Sequence, residues 1–151
     1  MKCPICGSKG LRTTNSRPTH SDSQTWRRKQ CPDCHSIVTT YEKNDMLWLS
    51  IKDPINSKLL AYKRPILYKS LLGVFEDDEL MELDFENLIN SIEQKIVSSR
   101  KTMITKNELI KIVLDTLKPL SLRAFMKYLS RHSEFYDKRN LNRLLKADFT
   151  G

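Results

Sequence analysis

Four cysteines occur as two close pairs, "CPIC" at residues 3–6 and "CPDC" at residues 31–34. Two residues between thiols allow both sulfurs of a turn to face one ion, and two such turns complete a closed tetrahedral site of the kind that holds structural zinc. In a reducing compartment, close cysteine pairs are more typical of metal ligands than of disulfides. We therefore predict that a structural Zn²⁺ is bound by Cys3, Cys6, Cys31 and Cys34.

The same thiols leave other interpretations open. A closed set of four sulfurs also suits iron, and a Cys-x-x-Cys pair can act as a redox dithiol. The 24 residues between the pairs also exceed the roughly 15–20 that are usual for such sites. Zinc is nevertheless favoured, because a redox pair usually occurs once, at the start of a helix. His20 and His35 are interpreted as loop residues, since four thiols already complete the shell.

The segment that holds the thiols also carries five cations of interest, and Trp26 and Tyr41 lie among them. Arginine contacts phosphates and can read the edge of a guanine, so the cluster predicts DNA binding by Arg12, Arg17, Arg27, Arg28 and Lys29. The alternative is a solvated strand face, on which alternation would send Arg27 and Lys29 one way and Arg28 the other. A net charge of +8 and a pI of about 9.4 also favour a polyanionic partner.

The elements that must position these residues fall into two parts. Residues 1–46 contain few large aliphatic side chains, so they need a staple to offset their chain entropy. Short runs such as "IVTTYE" favour strands, and "NSRPTHSDSQ" at 15–24 favours a turn or loop. Residues 47–137 carry apolar residues at helical spacing, and residues 138–151 form a basic tail. We predict an α+β chain, a small β unit followed by a mostly helical domain.

Helix boundaries in the second part are indicated by capping residues and prolines. Pro65 suits a helix start, Asp84 and Ser121 suit N-caps, and "TKNE" at 105–108 has capping-box spacing. Pro119 should end the third helix. The residues predicted to face inward are Leu67, Leu71, Val74, Phe75, Phe85, Leu88, Ile89, Ile92, Ile96, Leu109, Ile110, Val113, Leu114, Leu117, Leu122, Phe125, Met126 and Leu129. Residues 46–62 favour a β-hairpin before the first helix.

Several classes of function are disfavoured. No run approaches the ~20 apolar residues of a membrane span, and no apolar signal core follows the amino terminus, so we expect a cytoplasmic chain without a membrane partner. The sequence shows no Gly-rich phosphate loop, no Ser/His/Asp spacing and no open metal site, so we do not expect an enzyme. Charge is uneven, since residues 76–97 hold one Lys/Arg against eight Asp/Glu.

The segments "CPICGSK", "SRP", "WRRKQCPDC" and "VTTYE" resemble the zinc ribbon of the NrdR family, bacterial regulators that repress ribonucleotide reductase genes. The match covers residues 1–42. The resemblance implies double-stranded DNA as a partner, zinc as a structural ion and self-association of the chain. Its implied function is that of a zinc-dependent, DNA-binding transcriptional repressor.

The segments "LAYKRPILYKSLL", "DFENLINSIEQKI", "ITKNELIKIVLDTLKPLS" and "RAFMKYLSRHSEFYD" resemble the helices of that family's ATP-cone, a nucleotide-binding domain. This implies ATP or dATP as an effector. Asp77, Asp78 and Glu79 stand where the family has a Lys-Arg-Pro motif that helps hold the phosphates. The candidates that remain for a nucleotide pocket are Lys52, Lys58, Tyr62, Lys63 and Lys69, and their alternative is an ordinary basic surface.

Two other functions stay open. The chain could be a specialised relative that regulates other genes, with a cone that no longer binds nucleotide. It could instead be a zinc-ribbon adaptor for RNA or protein, in which the acidic segment Glu76–Glu86 docks a basic partner.

Overall fold

The computed structural model describes residues 1–19, 24–77, 79 and 83–132. The chain divides into two compact units, Met1–Asp45 and a second unit that begins at Met46. The first unit is built from strands and carries the four cysteines, while the second is mainly helical, so the predicted α+β class is confirmed. The predicted end of the helical domain at residue 137, the tail 138–151 and His20 lie outside the described residues.

The first unit contains one antiparallel sheet. Its strands are β1 (Arg12–Pro18), β2 (Gln24–Gln30) and β3 (Ile37–Lys43), and β2 is central. The predicted turn at 15–24 is wrong for Asn15–Pro18, because these residues pair with β2 in the ladder. Pro18 is accommodated because it ends an edge strand, where a missing backbone donor costs little. The register shifts between Thr13 and Asn15, which places one extra residue, Thr14, in β1.

The second unit begins with the predicted hairpin. Strands β4 (Ser50–Lys52) and β5 (Leu59–Ala61) pair antiparallel, and Asp53 and Asn56 accept backbone hydrogen bonds within the tip. A third strand, β6 (Met103–Thr105), lies parallel to β4. Strand β6 was not predicted from the sequence, since three residues show no periodicity of their own.

Four helices follow in the described part of the second unit: α1 (Arg64–Leu72), α2 (Phe85–Ser98), α3 (Lys106–Leu117) and α4 (Leu122–Arg131). The predicted caps are confirmed. Asp84 and Ser121 each accept a hydrogen bond from the backbone N–H three residues later. Thr105 and Glu108 form the reciprocal capping box, and α3 ends at Leu117, just before Pro119. None of the helices among the described residues is long and apolar enough to cross a bilayer.

Among the residues that the structure describes, the hydrophobic core lies in the second unit. Its buried residues are Met46, Leu49, Tyr62, Leu67, Leu71, Val74, Phe75, Phe85, Leu88, Ile89, Ile92, Ile96, Ile104, Ile110, Val113, Leu114, Leu117, Ala124, Phe125, Tyr128 and Leu129. Two residues predicted to face inward, Leu122 and Met126, are 65% and 44% exposed. That prediction is wrong because Ala124 and Tyr128 occupy the buried stripe of α4 instead.

The cations beside this buried stripe explain which side of α4 faces the core. Lys127 bonds Glu76, Arg123 pairs with Glu79, and Arg131 donates to the carbonyl of Gly73. These three side chains are spaced four residues apart and so lie along one side of the helix. They turn Leu122 and Met126 away from the core, and the sequence pattern alone could not show this.

Candidate metal centre and nucleic-acid interface

The four cysteines converge on one point, although their pairs are 24 residues apart. Their sulfur atoms all lie within 4.8 Å of one another, with Sγ–Sγ distances of 3.7 Å for Cys3–Cys34 and 3.6 Å for Cys6–Cys31. These distances are far longer than the ~2.05 Å of a disulfide. They match the edge of about 3.8 Å that four sulfurs would form around Zn²⁺ at a bond length of about 2.3 Å. The predicted ligand set is thus brought together.

The two cysteine turns have the same backbone design. In each, the N–H of the first cysteine donates to the carbonyl of a serine five residues later: Cys3 to Ser8 at 2.8 Å and Cys31 to Ser36 at 3.0 Å. The residue after each second cysteine has a left-handed backbone, with φ of 75° at Gly7 and 58° at His35. A side chain is tolerated there at some cost, which explains why glycine occupies one turn. His35 is an exposed turn residue and is not in the thiol cluster.

The ionisation of the thiols shows why a cation suits this cluster. The backbone N–H of Cys6 contributes most to lowering the pKa of Cys3 to about 6, and Ser36 lowers the pKa of Cys34. At Cys6, the N–H of Ser8 lowers the pKa, but the neighbouring thiols, Cys34 first, outweigh it and raise the pKa to about 12. Hydrogen bonds thus favour the thiolate at Cys3 and Cys34 but not at Cys6. A divalent cation would favour the thiolate form of its ligands, so the donor set fits zinc.

The sheet of the first unit has two different faces, which the strand register defines. Residues paired directly across an antiparallel sheet share a face. Three rows therefore lie on the same side: Arg17–Trp26–Tyr41, Asn15–Arg28–Thr39 and Arg12–Gln30–Ile37. We call this side the Arg28 face. Its residues are exposed except for the half-buried Trp26, and among the described residues no side-chain ion pair involves its three arginines.

The opposite side, the Arg27 face, is defined by the rows Ser16–Arg27–Thr40 and Thr13–Lys29–Val38. Arg27 donates to Glu42 at 2.9 Å, and both Arg27 and Lys29 are half-buried. The Arg27 Nε and the Thr40 hydroxyl are shielded from solvent without a hydrogen-bond partner in the described structure. The five predicted DNA-binding cations are therefore split, with Arg12, Arg17 and Arg28 on one face and Arg27 and Lys29 on the other.

The β-bulge decides where Arg12 lies. If Thr14 were an ordinary alternating residue of the strand, alternation from Asn15 would put Arg12 on the Arg27 face. The bulge restores Arg12 to the Arg28 face, opposite Gln30. Asn15 and Gln30 share this face with the arginines and were not predicted as site residues. Asn15 and Gln30 each lie two residues from an arginine of this face, Arg17 and Arg28. That spacing indicates a shared face only if the residues are known to lie in strands.

The candidate nucleotide residues do not share one location in the second unit. Tyr62 is buried and its hydroxyl donates to Glu93 at 2.9 Å, and burial together with Glu93 raises the pKa of Tyr62. Lys69 is exposed on α1 and lines an open surface depression of about 390 Å³ with Arg64, Pro65, Tyr68 and Leu72. The lysines at 52, 58 and 63 are exposed and do not line this depression.

The acidic segment is not a row of free charges. Glu76 accepts from Lys127 at 2.7 Å, and this bond chiefly lowers the pKa of Glu76. Glu79 accepts from the backbone N–H of Glu76, which contributes most to its lowered pKa, and it also pairs with Arg123 at 3.2 Å. The negative charge that replaces the family's phosphate-binding motif is thus partly offset by the cations of α4. Asp78 lies outside the described residues.

The fold and the thiol cluster together define a zinc-ribbon protein with an appended helical domain. Residues 1–42 match the family model described as "Transcriptional repressor NrdR-like, N-terminal domain". Over nearly the whole chain, relatives named "Transcriptional repressor NrdR" are similar to it. That of Lachnoclostridium phytofermentans is 31% identical, with 97% of this chain and 95% of the relative covered. That of Caldanaerobacter subterraneus subsp. tengcongensis is 31% identical, with 98% and 96% covered. The chain belongs to the NrdR family.

Proposed function

We propose that this protein is a zinc-dependent transcriptional repressor that binds double-stranded DNA through its first unit. Its relatives carry the name of a transcriptional repressor, and the first unit matches the family's N-terminal domain. The observation that carries the proposal is the Arg28 face, where Arg12, Arg17 and Arg28 stand exposed on one side of a small sheet. Exposed arginines without carboxylate partners are suited to phosphate oxygens.

Zinc would be held by Cys3, Cys6, Cys31 and Cys34, and its role would be structural. Four thiolates close the coordination sphere, so the ion would supply charge and cross-linking and no open catalytic position. The turn at Cys3 precedes β1, and the turn at Cys31 directly follows β2 and leads into β3. Holding the two turns together would therefore fix one end of each strand. The cysteine turns thereby support the sheet that presents the arginines.

The binding test compares two triple variants with the same net charge. In the first, Arg12→Ala, Arg17→Ala and Arg28→Ala remove the cations of the Arg28 face. In the control, Lys52→Ala, Lys58→Ala and Lys111→Ala remove three exposed cations of the second unit. Binding of a labelled 30-bp duplex by the zinc-loaded chain is followed by fluorescence anisotropy as salt is raised.

The wild-type protein should lose affinity steeply with salt, because each neutralised phosphate contributes about 0.9 to the slope of log K against log[salt]. The Arg28-face triple should lower that slope by about 1.8 to 2.7, which corresponds to two or three lost phosphate contacts, and the control triple should leave it nearly unchanged. Duplex binding without salt dependence, or equal losses in both triples, would contradict the proposal. Retained binding to RNA or protein in place of duplex DNA would favour the adaptor function.

The second unit extends the proposal to self-association and to an adenine nucleotide, ATP or dATP, as effector. Its helices resemble an ATP-cone, and Lys69 and Arg64 line a depression in which the ring of Tyr68 could pack against a base. Nucleotide titration combined with mass measurement tests both. A change of mass with ATP or dATP that Lys69→Ala abolishes would support the effector site. Unchanged mass and no bound nucleotide would leave the second unit without this role.

A further inference from the structure

We propose that Asn15, Arg28 and Gln30 read base edges in the major groove, while Arg12 and Arg17 contact phosphates. This inference rests on the proposed DNA binding and adds a division of labour within the Arg28 face. It also includes two uncharged residues, Asn15 and Gln30, that charge alone would not indicate.

The three side chains have the types that distinguish base pairs. Arginine can form two hydrogen bonds to guanine, and asparagine or glutamine can form two to adenine. Arg28 and Gln30 alternate on the central strand β2, and Asn15 is the cross-strand partner of Arg28. All three are exposed, and the described structure gives none of them a side-chain hydrogen bond. They are therefore available to a ligand that approaches the middle of the face.

The spacing of these residues fits a duplex. Residues two apart on an antiparallel strand are separated by about 6.8 Å. Successive base pairs are about 3.4 Å apart along the helix axis. If β2 follows the groove, Arg28 and Gln30 reach base pairs two steps apart. Asn15 lies about 5 Å to the side of Arg28, within reach of the same or the adjacent pair.

Arg12 and Arg17 occupy a different position on the face. Both lie on β1, an edge strand, at or near its two ends. Because of the bulge they stand opposite residues four apart on β2, so they are separated by about 14 Å, which is close to four base-pair steps. Cations at the rim meet the backbone that flanks the groove, and such contacts fix register without carrying sequence information.

The Arg27 face offers an internal control. Lys29 is the neighbour of both Arg28 and Gln30 in sequence, yet its side chain is half-buried on the other side of the sheet. Removing Lys29 changes the net charge as much as removing Arg28 does. If Arg28 reads a base, removing Arg28 should change the base preference and removing Lys29 should not. If both residues act only through their charge, the two removals should have the same effect.

The test is selection from a pool of random 30-bp duplexes by the full-length, zinc-loaded protein, followed by affinity measurement on the selected sequences. Arg28→Ala and Gln30→Ala should each relax the preference at one base pair, with a loss on the preferred sequence of about 5- to 140-fold. Arg12→Ala should weaken all sequences alike and lower the salt slope by about 1. Lys29→Ala should leave the preferred sequence unchanged. Arg28→Lys keeps the charge but cannot bond two acceptors in the same way, so it should also relax the preference.

The outcomes distinguish a failure of the base-reading assignment from a failure of DNA binding. Metal content near one ion per chain shows that each variant retains its first unit. If Lys29→Ala relaxes a base preference and Arg28→Lys does not, the assignment of base reading to the Arg28 face is overturned while DNA binding stands. If the wild-type protein retains no duplex from the pool at any salt concentration, DNA binding itself fails.

Discussion

The two units of this chain are stabilised by different means. Among residues 1–19 and 24–45, only Cys3 and Cys31 are buried. The second unit buries an apolar cluster that includes Leu71, Ile89 and Phe125. A small sheet with one exposed face cannot offset its chain entropy by apolar burial. The first unit thus exposes the arginines of the Arg28 face and most of its strand residues, and its described residues lack an apolar core. The thiol cluster stabilises it in place of such a core.

The largest effect should come from breaking the thiol cluster. Cys6→Ser should unfold the first unit, because structural zinc contributes on the order of 10–16 kcal/mol to the folding of small domains. Cys6 is itself exposed, so the loss cannot be attributed to apolar packing. Metal content and hydrogen exchange of β1–β3 measure it. Ser8→Ala, at a half-buried serine two residues away, serves as the control and should retain the ion. Full protection of the β1–β3 amides from exchange in Cys6→Ser would contradict the claim that the thiol cluster stabilises the first unit.

A smaller effect should come from the core of the second unit. Ile89 is fully buried in α2, so Ile89→Ala should lower the free energy of unfolding of this unit by about 2–5 kcal/mol. The matched control is Ile66→Ala in α1, where the side chain is 65% exposed and the change should stay within about 0.5 kcal/mol. Denaturant unfolding followed by helical circular dichroism checks both. Loss of the metal in Ile89→Ala would show that the two units do not have separate sources of stability.

The capping box of α3 should contribute about 1 kcal/mol. Thr105→Ala removes the acceptor for the Glu108 N–H and should cost about 0.5–2 kcal/mol. The exposed Thr102→Ala is the control and should be nearly neutral. Equal midpoints in denaturant for both variants would show that the box contributes nothing.

The same box gives a pH dependence. Lys101, then the Thr105 N–H, lower the pKa of Glu108 below its ordinary value of 4.5. A carboxyl with a lowered folded-state pKa stabilises the fold above its unfolded pKa, and this contribution is lost as pH falls below about 4.5. Glu108→Gln should therefore flatten the decline in second-unit stability between about pH 5 and 3. A decline of the same steepness in the variant would contradict this assignment.

The smallest expected effect lies at the turn after α2. Arg100 has a φ of 54°, in the left-handed region. Arg100→Gly should relieve about 1–2 kcal/mol of strain and lose about half of it to the greater freedom of glycine in the unfolded chain. We expect the midpoint of thermal unfolding to rise by a few degrees or less. Arg100→Ala keeps the strain, so a rise of the same size in that variant would point to charge instead.

Much of this organisation follows from local sequence. The cysteine spacing predicted the thiol cluster, and side-chain caps at Asp84, Thr105 and Ser121 predicted three helix starts. Each cap depends on residues three positions apart, and each cysteine pair, although far from the other, has the recognisable Cys-x-x-Cys spacing. The hairpin was likewise predictable, because its strands and turn are contiguous.

Features that depend on distant residues were not predictable. Strand β6 is short and is defined only by its pairing with β4, some fifty residues earlier. The rotation of α4 depends on the ion pairs that Arg123 and Lys127 form with another segment. The bulge at Thr14 determines that Arg12 joins the Arg28 face, and a bulge leaves no periodic signal. Alternation alone predicted that Arg28 would lie opposite to Arg27 and Lys29, whereas the position of Arg12 depends on the bulge.

The most direct test of the account is hydrogen exchange of the full-length, zinc-loaded protein before and after a strong chelator is added, with metal content measured on the same samples. We predict that amides of β1, β2 and β3 lose their protection when the metal is removed, while those of α2 and α3 keep theirs. Unchanged protection of the three strands in metal-free protein would contradict the claim that four thiolates and an ion replace the core of the first unit.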